Sequence, residues 1–569
     1  MKVVALAVAA LALASIAGAQ PLARHTGLRT VVDRNGDNRL EYAAGEKRIV
    51  RDDLAPHGPV GGPPRPLLAF AHLADTQMMD EESPGRVELV DFIGGDPFSA
   101  SYRPQEGLMP FVLDEEVRAV RNLRRGPATR APIRLVMTGG DNVDNAQYNE
   151  TRWFIDTIDG GHVVDPNSGR RGTCGLRKPP LYGGVRGGGR FYEPNGKGDG
   201  PGYSSSVAAN RRAVGRSVAS RDYPGLFELM NRPFRPVGLG LPWYSVFGNH
   251  DGNVQGNFSQ NEIFDLVVAG CRKVTRYSPE ALAAIRPLLA DGVTPAERSQ
   301  IISITFGDFL DTWTVPKEHR GLWKQVPSDP GRRFLRKRAW MQEHFRTRGR
   351  PRGHGFTAAN LSLGEAYYSF SPAAGVRFVV LDTVADNSAS GNIDSAQLAW
   401  LDSRLAEAEA RHEVVVVFGH HSLRTMNAAG TDVHNGPDVE ALLLRHPGVV
   451  AYIVGHEHRN RIEPHGRPDA RNAGGFWEIV TSSHLEWPQQ SRVLELADLR
   501  NGELAIYSTV IDQAAAPRPS GKGPQRLASI ARELSLNEPQ AENGEDGWVD
   551  RRGTPLDRNV TLLVRNPYA

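Results

Sequence analysis

The chain has 569 residues, 40% of them hydrophobic and 23% charged. That is an ordinary globular composition, and it excludes a wholly disordered, collagen-like or multi-span membrane protein. Its 67 basic and 65 acidic side chains leave a formal charge of +2, too little for a polyanion track or a polybasic membrane patch.

Lys2, the uncharged and almost wholly apolar run from Val3 to Ile16, and Ala17-Gly18-Ala19 read as a secretory signal over residues 1–19. The run is shorter than the ~20 residues a bilayer span needs. The mature chain is therefore expected to be secreted or periplasmic, without stable membrane insertion. In an oxidising compartment Cys174 and Cys271 form one disulfide or remain two buried thiols. Residues 20–65 read as a polar N-terminal segment. Asp33 to Asp37 open like a calcium loop, but Asn38 and Ala44 stand where that loop needs Gly and Glu, so the stretch reads as a turn.

From there short apolar runs recur, several ending in polar clusters. Leu67–Leu73 leads to Asp75, Ile133–Met137 to Gly140-Asp141, and Trp243–Phe247 to Gly248-Asn249-His250-Asp251. Val414–Phe418 leads to Gly419-His420-His421, and Val449–Val454 to Gly455-His456-Glu457-His458. Runs of four to seven β-branched and aromatic residues bounded by Gly read as buried strands. Polar residues at such strand ends are where α/β folds place ligand chemistry. Further strands are expected at Val376–Leu381, Phe476–Val480, Val493–Leu496 and Leu504–Ile511, and helices near Glu115–Leu123, Ser395–Ala410 and Pro437–Leu444. Because the polar clusters run from Asp75 to His458, the length resolves into one domain, 66–514, with insertions at 160–206 and 252–370. The Gly-rich first insertion is expected near the mouth of the site. Residues 515–569 read as a C-terminal tail with a short helix, Arg526–Leu534, and a terminal strand.

Together the clusters supply Asp75, Gln77, Asp141, Asn249, His420, His456 and His458, about the O and N donors that two hard-to-borderline divalent ions need. His456 and His458 lie two apart at the end of a strand, where an extended chain points them to opposite faces. Either a turn re-aims them or each serves a different ion.

The segments Asp75-Thr76-Gln77, Gly140-Asp141-Asn142-Val143-Asp144, Gly248-Asn249-His250-Asp251, Gly419-His420-His421 and Gly455-His456-Glu457-His458 together resemble the calcineurin-like metallophosphoesterase superfamily. The stretch from Gly474 to His484 is similar to an exported bacterial subgroup of it. The resemblance implies an α/β fold, a four-layer αββα sandwich with long loop insertions. It implies one ion on Asp75, Gln77, Asp141 and His458 and a second on Asp141, Asn249, His420 and His456. Mn, Fe or Zn are the expected ions. Gln77 stands at the usual His position, and its neutral, harder amide oxygen favours Mn and tolerates Ca better than Zn. His250 is then the general acid for the leaving group and Asp144 the carboxylate that orients it.

The implied function is an exported two-metal phosphohydrolase. A hydroxide generated between the ions attacks the phosphorus of a diester, pyrophosphate or monoester. Its partner is a phosphorylated small molecule or nucleotide-like compound. Asp-x-Gln leans towards a diester or pyrophosphate. Asn145, where protein phosphatases of the superfamily carry Arg, argues against phosphoproteins. Arg86 and His484 are further candidates for substrate contact, with a surface ion pair the simpler reading of Arg86. His72 and His421 read as neighbours of the ligands, and Asn145, Gln147 and Asn149 as residues that order the metal loop. The alternative is a non-catalytic metal- or ligand-binding surface protein on the same fold. A nuclease would need a basic groove, for which Arg332 to Arg352 is the one candidate, and nucleic acid is not an expected partner.

Overall fold

The computed structural model describes residues 25–34, 39–56, 58–59, 61–92, 101–169, 173–175, 223–289, 293–468, 473–536 and 551–569. The expected signal segment, most of the first insertion and residues 35–38 of the calcium-like turn lie outside them.

The strands in chain order are β1 (Arg29–Val32), β2 (Glu41–Ala44), β3 (Ile49–Leu54), β4 (Arg65–Leu73), β5 (Ile133–Thr138), β6 (Trp243–Ser245), β7 (Arg272–Val274), β8 (Trp323–Gln325) and β9 (Tyr368–Ala373). They continue with β10 (Val376–Val380), β11 (Val414–Phe418), β12 (Val449–Val454), β13 (Arg461–Gly466), β14 (Gly475–Val480), β15 (Gln490–Asp498), β16 (Glu503–Asp512) and β17 (Val560–Arg565). One sheet has seven strands in the order β3-β17-β16-β15-β4-β5-β6, and the other six in the order β13-β14-β12-β11-β10-β9.

The two sheets pack face to face. In β11, Val414, Val416 and Phe418 point into the inter-sheet core, while Val415 and Val417 point to the opposite face. A strand covered on both sides has no polar face, which is why it reads as an unbroken apolar run. The Phe70 ring of β4 meets Phe378 of β10 at 5.1 Å and Phe418 at 5.9 Å. Truncating such a core Phe to Ala costs about 3–5 kcal/mol. Buried Trp477 of β14 donates its indole N–H to the Leu563 carbonyl of β17 at 3.0 Å, satisfying the one polar atom it carries between the sheets.

Helices close both outer faces. The seven-stranded sheet is covered by α1 (Met109–Leu123) and α2 (Tyr148–Asp159). The six-stranded sheet is covered by Ser395–Ala410 and Gly436–Arg445. The architecture is a four-layer αββα sandwich. Pro524–Leu536 packs on α1.

The two ends of the chain do not stand apart from this domain. β3, from the segment expected to be polar and separate, pairs parallel with β17 from the expected tail, and β17 pairs antiparallel with β16. Without β17, the edge of β16 would present a row of unpaired N–H and C=O groups. The second insertion builds most of a satellite core around Phe264, Val267, Val268, Tyr277, Ile301 and Phe309, which Leu89 and Ala146 join from the loops after β4 and β5. Its last strand, β9, returns to the main sheet. Cys174 and Cys271 are disulfide-bonded, Cα atoms 6.0 Å apart across 97 residues of sequence. Among the described residues no helix is long and apolar enough to cross a membrane.

The parallel strands decide where the chemistry sits. β4, β5 and β6 are mutually parallel, as are β10, β11, β12 and β14. The C-terminal ends of each set, which carry the polar clusters, therefore lie along one edge of each sheet.

Beneath β6, the Trp243 ring stacks on His354 at 3.4 Å. His354 Nδ1 lies 2.9 Å from His344 Nδ1 and its Nε2 2.9 Å from Thr347 Oγ1. Burial, and then Arg152, holds His344 down at about 3. Burial, then His344 and Arg152, holds His354 well below its ordinary value. Below pH 6.5 the unfolded chain protonates His344, whereas the folded chain does not until about pH 3. The unfolded state thus binds more protons in that window, and stability falls as pH is lowered through it. The stability gap between wild type and His344→Asn should therefore narrow steadily from pH 7 towards pH 4, as read by urea denaturation. A gap independent of pH would mean that His344 is not buried neutral.

Candidate metal centre

The loops after β4 and β5 are zipped together by backbone bonds. Gln77 N–H donates to the Asp141 carbonyl at 2.8 Å, Asp75 N–H to Gly140 at 3.2 Å and Met78 N–H to Asn142 at 3.1 Å. Asp75, Gln77, Asp141, His456 and His458 all take left-handed backbone angles, φ between 46° and 68°. Such angles are rare for residues other than Gly and cluster at functional sites. Here they turn each chain sharply as it leaves its strand.

That turn decides the aim of the two histidines. His456 Nδ1 lies 3.3 Å from His420 Nε2, whereas His458 Nε2 lies 3.5 Å from Asp75 Oδ1. The His456 N–H donates to both Asp75 oxygens, at 2.9 and 3.1 Å. The His250 N–H donates to Asp141 Oδ1 at 2.8 Å. These approaches need glycine one residue before His456 and two residues before His250. A Cβ on Gly455 would stand 2.3 Å from Asp75 Oδ2, and one on Gly248 2.2 Å from the Asp141 nitrogen.

His420 donates Nδ1–H to the Gly139 carbonyl at 2.8 Å. This leaves the Nε2 lone pair facing Asn249 Oδ1 at 2.9 Å and Asp141 Oδ2 at 3.2 Å. Asn249 spends its amide N–H on the Gly256 carbonyl at 3.0 Å, so its oxygen is the atom turned to His420. Lone pairs aimed at one another this closely need a cation or a proton between them. Gln77 is buried and its amide oxygen has no hydrogen-bond partner. The donor set of carboxylates, amide oxygens and imidazoles suits hard-to-borderline divalent ions. Asp75, Asp141 and His420 each offer a ligand atom within 4.8 Å of the others. The residues present fit the ions that the motifs imply.

The buried charges of the site shift one another's titration in both directions. Burial disfavours the His420 cation, yet Asp141 and Asp75 push the group up to about 9. Burial likewise opposes the His458 cation, but Glu486 and Asp75 push it up to about 10. Burial also works against the Asp141 anion, but His420 and His250 hold it far below the usual carboxylate range. Burial, reinforced by His421 and His420, keeps His456 well below its ordinary value.

His250 stands at the rim, its side chain 17% exposed. Nδ1–H donates to the Asp144 carbonyl at 2.7 Å and lies 3.5 Å from Asp144 Oδ1. Nε2 is 3.9 Å from Asp141 Oδ2. Burial pulls the imidazole down, but Asp141 and Asp144 outweigh it and raise its pKa. Asp251, buried behind His250, accepts from the Gly248, Asn142 and Val143 N–H groups at 2.9, 3.1 and 3.2 Å. It ties the loop after β6 to the loop after β5.

Other expectations need correction. Arg86 is neither a surface ion pair nor turned to solvent. Its guanidinium has no exposure and is engaged by Asp144 at 2.8 Å, Glu88 at 3.0 Å, the Ser101 carbonyl at 3.1 Å, and Glu106. His484 is also buried. It bonds Thr76 Oγ1 at 2.9 Å and Ser491 Oγ at 3.0 Å, and burial holds it at about 3. Neither has a free group for a substrate. His421 lies near His420 and His456, but its nitrogens go to Thr383 Oγ1 at 2.8 Å and the Ala389 carbonyl at 3.0 Å. His72 bonds Thr481 Oγ1 at 2.8 Å.

Asn145, Gln147 and Asn149 do brace the loop. Asn145 Oδ1 accepts from Gln255 N–H at 2.9 Å, and Asn149 donates to Asp80 at 2.7 Å. Arg332, first of the Arg-rich stretch, is buried and held by Asp80 at 2.9 Å. The residue that sequence reasoning missed is Glu486, whose Oε2 lies 2.5 Å from His458 Nδ1. It falls two residues after His484, outside every motif.

No family model matches the chain. Over 105 residues it is 36% identical to the manganese-dependent ADP-ribose/CDP-alcohol diphosphatase of Xenopus laevis, which covers 18% of this chain and 27% of that protein. Over 106 residues it is 30% identical to the same-named protein of Xenopus tropicalis, covering 18% and 28%. The match thus spans about a quarter of the length of these curated relatives. Among solved structures, a dimetal phosphatase from Danio rerio aligns with a TM-score of 0.31 at 14% identity, over 79% of this chain and 99% of that one. A purple acid phosphatase from yellow lupin (Lupinus luteus) seeds aligns with a TM-score of 0.27 at 9% identity, over 83% and 54%.

Because Asp141 faces His420, His250 and the loop after β4 at once, Asp141→Ala should abolish all metal uptake. Elemental analysis of Mn-loaded, desalted protein would check this. Two ions per chain surviving the substitution would break the bridging assignment.

Proposed function

We propose that the chain is a divalent-metal-dependent phosphohydrolase acting on a phosphodiester or pyrophosphate bond. The observation that carries this reading is the convergence of strand-end loops from both sheets on one buried donor cluster, with an oriented imidazole at its rim. Asp75, Gln77, Asp141, Asn249, His420, His456 and His458 would hold the ions. When bound, such ions supply positive charge for phosphoryl oxygens and lower the pKa of water.

The remaining work falls to His250. With Nδ1–H spent on the Asp144 carbonyl, the transferable proton sits on Nε2. Asp141 and Asp144 raise the pKa of the group against the effect of burial, and so favour that protonated form. An imidazole so held protonates a leaving oxygen, a contribution of ~10²–10⁴ in rate. Arg86, bonded to Asp144, keeps that carboxylate ionised. A pure binding site has no use for this arrangement, which weighs against the non-catalytic alternative.

The substrate we infer is a nucleoside-diphosphate-type compound. The amide at position 77 and the named activity of the Xenopus relatives both favour it. We also propose export to a secreted or periplasmic location. The Cys174–Cys271 bridge supports it, since disulfides persist in oxidising compartments.

A panel of ADP-ribose, a CDP-alcohol, bis(p-nitrophenyl) phosphate and p-nitrophenyl phosphate, each with Mn, Zn, Fe and Ca, tests the reading. Turnover should be fastest on a diphosphate with Mn. His250→Ala should lose about 10²–10⁴-fold in kcat while its metal content matches wild type. No turnover on any member would favour the binding-protein reading. Loss of metal in His250→Ala would make that residue structural.

A further inference from the structure

Glu486 is fully buried, and each of its oxygens is engaged. Oε2 lies 2.5 Å from His458 Nδ1 and accepts from Ser483 Oγ at 2.6 Å. Oε1 ion-pairs with Arg103 at 2.6 Å and with Arg551 at 3.1 Å. The Glu486 N–H donates back to Ser483 Oγ at 3.1 Å. The carboxylate is thus fixed from both sides before it meets the imidazole.

The contact decides the tautomer of His458. A proton on Nδ1 is the one that bonds Glu486, so in the neutral, ligating form the lone pair is left on Nε2, the atom 3.5 Å from Asp75 Oδ1. A neutral imidazole without such a partner distributes its proton over both nitrogens and turns about its Cβ–Cγ bond. A ligating imidazole backed by a carboxylate is oriented and made more basic.

Arg551 brings in the C-terminal segment. Its carbonyl accepts from the Asn460 N–H at 3.0 Å, and the Arg552 carbonyl accepts from the Asn460 side chain at 3.4 Å. Asn460 is two residues beyond His458. The segment therefore holds the metal loop by its backbone and the carboxylate that faces His458 by a side chain.

We propose that Glu486 is the positioning residue for His458, and that the C-terminal segment, through Arg551, sets how tightly the metal centre binds. This rests on the reading of His458 as a ligand.

The test is the Mn²⁺ dissociation constant of the full chain, by titration calorimetry and by Mn²⁺ electron paramagnetic resonance. Wild type, E486Q, E486D and R551Q are compared, with the thermal midpoint of each metal-free protein recorded. E486Q should weaken binding by about 10–100-fold. E486D, which keeps the charge, should recover most of the loss. R551Q should weaken binding in the same direction by less. Unchanged Mn²⁺ affinity in E486Q and R551Q beside a lowered thermal midpoint would overturn the proposal, leaving Glu486 a structural counter-ion of two arginines. If E486Q does not fold, unchanged affinity in R551Q overturns it. A wild-type chain that binds no Mn²⁺ at all would instead bring down the reading of the site, and this inference with it.

Discussion

Two carboxylates, Asp75 and Asp141, lie buried at the seam between the sheets, and the structure around them follows from the need to neutralise them. An uncompensated buried charge costs several kcal/mol. The fold answers with backbone N–H groups from His456 and His250, one from each sheet, and with the His420 and His458 imidazoles, both from the six-stranded sheet. Only parallel strands can deliver so many loops to one edge, because each then ends on the same side. The sandwich places two such edges next to each other. The left-handed residues at Asp75, Asp141, His456 and His458 are the local expense of this delivery, roughly 1 kcal/mol or more apiece. They persist because each is tied on both sides.

Behind that first layer lies a second of alternating charge. Asp144 meets Arg86, which meets Glu88, which meets Lys273 at 2.8 Å. Asp80 and Glu82 meet Arg332, at 2.9 and 3.4 Å. Glu486 meets Arg103 and Arg551. Lys273 and Arg332 come from the second insertion, and Arg551 from the C-terminal segment. These parts of the chain, which look peripheral to the motifs, thus supply counter-charges for the loops that carry the site. Removing one partner of a buried pair typically costs about 3–5 kcal/mol, so an insertion of this kind is not removable decoration.

The sequence made some of this legible and hid the rest for physical reasons. β11 and β12 are readable because burial on both faces leaves an uninterrupted apolar run. β3, β9 and β13 are not, because edge strands are partly exposed, and β13 carries Glu463, Pro464 and Gly466. α1 starts at Met109 rather than near Glu115, since Met109 to Leu113 are apolar on every side and show no helical period. The candidate ligands are readable because each follows a strand in a recognisable cluster. Glu486, Arg103 and Arg551 are brought together across 448 residues of chain, from 103 to 551, and no local pattern marks them. Arg86 misleads because arginine is rarely buried unless paired, and two of its three carboxylate partners, Glu106 and Asp144, lie on other segments.

Gln77 shows what kind of charge this site requires. An imidazole at that position could be satisfied by a proton, as His420 and His458 are when their carboxylates raise their pKa. An amide oxygen cannot take up a proton at any ordinary pH. It is buried here with no donor against it, and an unsatisfied buried acceptor costs about 1–3 kcal/mol. A cation is the partner that answers both this oxygen and the neighbouring carboxylates. An amide at position 77 thus makes one corner of the site depend on a metal rather than on protons.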